Sequence, residues 1–301
     1  MRTAVLGATG FVGRALVPAL AQQGEVVAVS RRATAPELPG VRCVAADLTD
    51  GESTRGALEG VDVAYHLVHS LGARNFSELD RRVAENVVAE AERAGVAQIV
   101  YLGGLGDDAP DLSTHLRSRT ETGAVLSSGT VPVTTLRAAV VVGRGSAAFE
   151  TIVALVDRLP VMVAPRWVST PTQPIALIDM VRYLTGVAGR TEALGESFDV
   201  GGPEVITYRG MIHRIARLRA KRPLVVEVPV LSPRLSSYWL HLVTPVRASV
   251  ARPLVEGLRN PTIARDDRIR GLLPFPLTSF AHAARDALDE ARDKAGRHAG
   301  R

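Results

Sequence analysis

Seven residues near the start of the chain, Gly7-Ala8-Thr9-Gly10-Phe11-Val12-Gly13, have the composition of a loop that holds a diphosphate. Glycines there let the backbone turn sharply, remove the Cβ atoms that would keep a pyrophosphate away, and let the following helix pack on the preceding strand. Amides at the positive helix end then face the anion. The spacing is GxxGxxG rather than the GxGxxG of the dinucleotide fingerprint, so its weight comes from a strand-like run, a turn and a helix-like run in that order. Cofactor contact is expected at Gly7, Thr9, Gly10, Phe11 and Val12.

A second position with chemical meaning is the end of the next strand-like run. An acid there would serve ribose hydroxyls, whereas a 2′-phosphate calls for arginine. The chain reads Ser30-Arg31-Arg32 and has no acid. Guanidinium groups chelate phosphate with charge-assisted bonds, and Ser30 adds a hydroxyl, so NADP(H) is expected in preference to NAD(H). The plain alternative is a solvated arginine pair. In Ala46-Asp47-Leu48, Asp47 could accept from an adenine amino group with Leu48 beside it, or it could cap the next turn. No HExxH, GxSxG or cysteine cluster occurs, and Asp107 and Asp108 adjoin a glycine-rich loop that suits a solvated turn. No metal is expected, and serine acyl transfer has no support.

The elements that must position these residues follow from periodicity. Strands are expected at Thr3–Leu6, Val26–Val29, Arg42–Ala45, Val61–Leu67, Gln98–Leu102 and Val133–Val142. Helices are expected at Val12–Gln22, Ser53–Leu58, Leu79–Ala94 and Leu116–Ser127, with glycines 24, 60, 95 and 129 as left-handed caps. Alternating short strands and helices predict an α/β fold with a Rossmann-type doubly wound parallel sheet. After Gly145 the pattern loosens. Helices at Phe149–Leu159, Leu177–Val187 and Tyr208–Ala220, strands at Ser197–Val200 and Leu224–Val228, apolar helical stretches through Leu258 and a last helix at Ser279–Lys294 suggest a smaller lobe. The division is therefore a dinucleotide-binding domain at 1–145 and a C-terminal α/β lobe at 146–301 on the substrate side.

With 301 residues, 46% hydrophobic and 22% charged, the chain buries a full core without disulfides. Its only cysteine, Cys43, fits a reducing, cytoplasmic setting. The stretch Leu235–Val246 is interrupted by His241 and Pro245 and is too short for a bilayer, so a packed helix is expected. Tyr238 and Trp239 within it suit a core or subunit interface. The net charge of +5 is uneven, −4 over residues 1–209 and +9 over residues 210–301. The C-terminal arginines are scattered among acids and apolar residues without interleaved aromatics, so nucleic acid is not an expected partner; a small molecule is.

The segments GATGFVG, ADLTD, YHLVHS and YLGGLG, followed by HLRSRTETG, TTLRAAVVVG, PVMVAPRWV, TQPIALIDM and FDVGGPEVITYRGM, resemble the atypical short-chain dehydrogenase/reductases. That branch holds NmrA-like regulators, a respiratory complex I accessory subunit and many bacterial NAD(P)H-binding proteins. The resemblance implies that Leu67, Val68 and His69 line the adenosine and pyrophosphate, and that Gly103 and Gly104 approach the nicotinamide ribose. It also exposes a departure. The wider superfamily uses a serine and a Tyr-x-x-x-Lys pair, but this chain has Gly103-Gly104-Leu105-Gly106 and His115-Leu116-Arg117-Ser118-Arg119 at those places. His115 could act as the catalytic acid, or be an ordinary helix-start histidine bonded to backbone or solvent, with Ser113 or Thr114 capping the helix; Arg119, four residues on, would reach the cofactor. Trp167 and Gln173 fall where the resembling proteins close over the nicotinamide, though Gln173 could equally satisfy backbone in a buried turn. The implied function is an NADPH-dependent oxidoreductase acting on a small carbonyl, imine or enone compound. A non-catalytic redox sensor or assembly subunit, and a redox-neutral isomerase or epimerase, are the alternatives.

Overall fold

The computed structural model describes residues 1–32, 38–70, 72–73, 75–106, 112–228 and 258–299, the last helix with side chains to residue 291. Runs of β-branched residues form β1 (Arg2–Leu6), β2 (Glu25–Ser30), β3 (Val41–Ala45), β4 (Val63–His66), β5 (Gln98–Gly104) and β6 (Val133–Ala138). Between them lie α1 (Phe11–Ala21), α2 (Gly51–Leu58), α3 (Phe76–Ala94) and α4 (Thr114–Leu126). The chain continues through β7 (Val141–Val142), α5 (Ala147–Arg158), β8 (Val161–Pro165), β9 (Pro171–Thr172), β10 (Ile175–Ala176), α6 (Leu177–Val187), β11 (Ser197–Val200), β12 (Ile206–Thr207), α7 (Tyr208–Leu218) and β13 (Leu224–Val228). A helix at Phe280–Ala299 is the last element.

Seven of these strands pair in the order β11-β6-β5-β4-β1-β2-β3, all parallel. The order reverses between β1 and β4, and in open α/β sheets ligands bind in the crevice at the carboxyl ends of the strands at such a point. Both faces are covered, which is why the strands read as continuous apolar runs rather than as alternations. Val5, Tyr65, Val100 and Leu136 pack on one face with Leu16 of α1 and Tyr183 and Leu184 of α6. Ala4, Leu6, Ala64 and Ile99 pack on the other with Ala57 of α2, Val87 of α3 and Leu126 of α4. A third cluster joins Phe149, Met162, Met211, Ile215 and Ala284 in the later part of the chain. Chain beyond residue 145 thus adds α6 and the edge strand β11 to the layers begun by the first half.

Several boundaries differ from the sequence expectation for identifiable reasons. The run Val133–Val142 is not one strand: β6 ends at Ala138, and Val141–Val142 leaves the sheet to pair with Ile175–Ala176. The fourth strand is shorter than Val61–Leu67, and α3 starts at Phe76, three residues before Leu79. Gly95 is a left-handed cap at φ 68°, whereas Gly24 is needed for close approach, since a Cβ there would lie 2.3 Å from the Met1 carbonyl oxygen. Strand β8, which is not among the expected elements, pairs in parallel with β13. The stretch Leu235–Val246, Tyr238, Trp239, Asp107 and Asp108 lie outside the described residues. No described helix is long and apolar enough to cross a membrane.

Candidate functional site

The β1–α1 turn is made of backbone. Gly7 has φ +96°, which a side chain would strain, and a Cβ on it would lie 3.2 Å from both the carbonyl carbon and oxygen of Leu67. A Cβ on Gly13 would stand 2.4 Å from the Gly7 oxygen and 2.9 Å from Ala8 Cα. The N–H groups of Gly7 and Ala8 both donate to Val29 O at 3.0 Å, and Gly10 N–H donates to Gly7 O at 2.9 Å. Those amides hold the turn and do not face a ligand. Helix α1 opens with no side-chain cap and no acid in its first turn, so the N–H groups of Phe11 and Val12 have no acceptor among the described residues. An uncapped helix start behind a cradle that a Cβ would fill is what a dinucleotide diphosphate requires. Thr9 lies in the turn, partly buried.

Around the end of β2, Arg31 and Arg32 are exposed and Ser30 Oγ donates to Arg32 O at 2.5 Å, so the serine hydroxyl is committed to its own loop. Asp47 Oδ1 accepts from Thr49 N at 3.0 Å and from Thr49 Oγ1 at 2.8 Å. Those bonds hold its carboxyl below the ordinary range, with Arg31 and Arg82 adding to the effect. Asp47 is therefore a turn cap first, the role its position after a strand allowed. Leu48 is 8% exposed and belongs to the core; its carbonyl accepts from Asn86 Nδ2 at 2.9 Å.

Side chains dominate the neighbouring strand ends. Leu67 N–H donates to Leu6 O at 3.0 Å, which ties the end of β4 to the end of β1. Val68 follows, partly buried, and then His69, whose two ring nitrogens are both engaged. Nδ1 lies 2.7 Å from Asp80 Oδ2 on α3 and Nε2 lies 3.1 Å from Nδ1 of His115 on α4. Asp80 Oδ1 accepts from Ser70 N at 2.8 Å, and the Asp80 side chain is 2% exposed. Phe76 stands edge-on to the His69 ring at 6.2 Å. The resemblance implies that His69 lines the cofactor; the geometry in addition joins it to Asp80 and His115 through its two ring nitrogens.

Three helical and strand features deliver this cluster. Ser113 caps α4, its Oγ accepting from Leu116 N at 3.2 Å, which places His115 in the first turn. Gly103 and Gly104 end β5, and a Cβ on Gly104 would meet Leu116 Cδ2 at 3.1 Å, so the helix start packs directly on the strand end. Arg119 donates through Nη2 to Leu102 O, and its guanidinium lies 5.2 Å from the centroid of the Tyr101 ring, while Tyr101 Oη donates to Arg119 O at 2.9 Å. Arg119 is thus held on the sheet. Among its effects, it helps depress the neighbouring histidines.

Burial pushes His115 down to about 3, with His69 and Arg119 adding to the effect and Asp80 opposing it. His66, fully buried at the end of β4 with neither ring nitrogen hydrogen-bonded among the described residues, is pushed to about 4 by burial first and Arg119 second. For His69 burial lowers the pKa and the bond to Asp80 partly restores it. Asp80 is raised by burial, but its bonds to His69 and Ser70 win and hold it below the ordinary range. At neutral pH the cluster therefore contains neutral imidazoles and one carboxylate.

Gln173 and Trp167 are not with this group. Gln173 Nε2 donates to Gly202 O at 2.8 Å and its Oε1 accepts from Ala264 N at 3.0 Å, so both ends of the amide bind backbone. Trp167 sits in a short 3₁₀ turn against the third core cluster. Sequence reasoning missed Asp80 and His66. Asp80 had a signal: it occupies the buried face of α3 between Phe76 and Ala84, where a carboxylate needs a partner. Among the described residues no group of three His, Cys, Asp or Glu is placed to hold a metal.

A family described as NAD(P)H-binding matches residues 7–139, the span from the glycine turn to the end of β6. The (4-alkanoyl-5-oxo-2,5-dihydrofuran-3-yl)methyl phosphate reductase of Streptomyces griseus is 31% identical over 237 residues, 74% of this chain and 75% of that protein. The mitochondrial NADH dehydrogenase [ubiquinone] 1 alpha subcomplex subunit 9 of Arabidopsis thaliana is 23% identical over 75% of this chain, which spans 60% of its length. Two further curated relatives are matched over only 35% and 32% of theirs. The NADPH-dependent quinone oxidoreductase of Escherichia coli, solved with NADPH, shares the fold with a TM-score of 0.74 at 20% identity, covering 94% of this chain and 98% of that one. The chain belongs to the NAD(P)H-binding atypical short-chain dehydrogenase/reductases.

Proposed function

We propose that this protein is an NAD(P)H-dependent oxidoreductase that interconverts a small carbonyl, imine or enone compound and its reduced form, with NADPH preferred to NADH. The observation that carries the reading is His115, held in the first turn of α4 against the glycine end of β5 and bonded through Nδ1 to His69. By the sequence resemblance it falls where the wider superfamily has its proton-exchanging tyrosine. When bound, the nicotinamide supplies or takes hydride. The turn from Gly7 to Gly13 accommodates the diphosphate, Phe11 and Val12 offer it their amides, and Arg31 with Arg32 meets the 2′-phosphate. His115 exchanges the proton at the substrate oxygen or nitrogen, since Gly104 offers no hydroxyl. The Streptomyces griseus relative, named as the reductase of an alkanoyl-oxo-dihydrofuranyl methyl phosphate, supports a carbonyl or enone substrate.

The test is turnover of NADPH by the purified protein with a panel of quinones, enones and aldehydes. His115→Ala should slow the reaction while leaving cofactor affinity unchanged. Absence of turnover with every class, alongside a partner protein captured in only one redox state of the cofactor, would replace this reading with a redox sensor.

A further inference from the structure

Asp80 is linked to His115 through His69, is the one carboxylate in this cluster and is 2% exposed. Its ionised form only accepts hydrogen bonds, so His69 Nδ1 must carry the proton between them at 2.7 Å. A neutral His69 protonated on Nδ1 presents a lone pair at Nε2. The 3.1 Å contact from there to His115 is then filled by the Nδ1 proton of His115. What remains is Nε2 of His115, which takes no part in the contact with His69 and, in this arrangement, bears a lone pair.

We propose that Asp80 is a positioning residue: acting through His69, it fixes the tautomer of His115 and leaves His115 Nε2 as a proton acceptor, which poises the resting site for oxidation of a hydroxyl compound. The inference rests on the oxidoreductase reading and names its direction. In the step, the O–H bond of the bound hydroxyl breaks and its proton passes to His115 Nε2. The electron pair stays on the oxygen and forms the carbonyl as the carbon gives hydride to the oxidised nicotinamide cofactor. His115 passes its Nδ1 proton to His69, whose imidazolium is then balanced by the Asp80 carboxylate. The reverse sequence serves reduction. Without that carboxylate, a second proton on two half-buried rings beside Arg119 has no counter-charge.

The experiment is nitrogen NMR of the full chain labelled in histidine, which distinguishes the two imidazole tautomers with no substrate present. In the wild-type protein both His69 and His115 should be protonated on Nδ1, and Asp80→Asn should shift His115 toward the Nε2-protonated form. Asp80→Asn should also lower kcat for hydroxyl oxidation by roughly 10²-fold with KM little changed, and Asp80→Glu should restore part of it. An Nε2-protonated His115 in the wild type, or an Asp80→Asn protein with unaltered tautomers and turnover, overturns the proposal. If the tautomers are as stated but no hydroxyl compound is oxidised, the oxidoreductase reading is what fails. The wild-type spectrum decides the tautomer even where the variant does not fold.

Discussion

At the end of β1 the chain offers backbone, and at the end of β4 it offers side chains, although the two ends are joined by the bond from Leu67 N–H to Leu6 O. The first junction contains no titratable group between Gly7 and Gly13, and its shape depends on what is missing, the Cβ atoms of Gly7 and Gly13. The second gathers His66, His69, Asp80 and His115 from β4, the segment after it, α3 and α4. A diphosphate is the same in every dinucleotide, so amides and space suffice to hold it. Chemistry on a substrate needs groups that change protonation, and these must be assembled across the fold. The contrast predicts that damage at one junction should alter binding and damage at the other should alter rate.

The sharpest break is His115→Ala. General acid–base groups contribute on the order of 10²–10⁴ in rate, and kcat should fall within that range while the Kd for NADPH stays within about twofold. Stopped-flow turnover and calorimetry measure the two sides separately. A large loss of cofactor affinity would join the junctions that the comparison separates.

Acid should discriminate next. The pKa values of His66, His69 and His115 all lie below the ordinary histidine value in the folded protein. The unfolded chain therefore binds more protons as pH falls, so the stability these groups support is present above about pH 6.5 and is lost as pH falls toward about 4 for His66 and about 3 for His115. Arg119 on α4 strengthens the effect and Asp80 on α3 opposes it. For the fully buried His66 the loss at pH 5 is about 2 kcal/mol. Thermal midpoints should drop between pH 7 and pH 5, and His66→Phe should remove part of the drop. An equal drop in both proteins would remove His66 from the account.

At the backbone junction the corresponding change is Gly13→Ala. The added methyl would stand 2.4 Å from Gly7 O, a backbone atom that no rotamer change can move away. Overpacking of this kind costs about 1–3 kcal/mol, so NADH and NADPH should both bind roughly tenfold more weakly or worse, with kcat at saturation retained. Unchanged affinity for both would move the diphosphate elsewhere.

The same contrast explains what could be read before the structure. The glycine turn is contiguous, and the strand and helix around it carry plain periodicities, so the turn, the parallel sheet and the end of β2 were legible from residues alone. The β4 junction draws on positions 69, 80 and 115, which no local pattern connects. His115 and His69 were visible as individual candidates, but their bond to each other depends on the pairing of β4 with β5 and on the Ser113 cap. Asp80 looked like an ordinary helix acid until the buried face of α3 was known. At Gln173 a polar residue beside a proline suits both a substrate site and a buried turn, and its two backbone bonds match the second of those readings. The short strands β9, β10 and β12 were missed because two-residue pairings leave no periodicity to detect.

The smallest expected effect concerns the cofactor's far end. Arg31 and Arg32 are exposed, and Arg31 is near enough to Asp47 to lower its pKa, so any phosphate contact there is made in water and in competition with a carboxylate. Exposed ionic contacts contribute about 1 kcal/mol or less each. The double variant Arg31→Ala/Arg32→Ala should therefore weaken NADPH binding by roughly tenfold and NADH binding scarcely at all. The difference should shrink as salt is raised, because charges on the surface are screened over about 8 Å at physiological ionic strength. Calorimetry with both cofactors at low and high salt measures this. Equal losses for NADH and NADPH, or a preference indifferent to salt, would show that these arginines do not read the 2′-phosphate, while leaving the diphosphate cradle of Gly7 and Gly13 untouched.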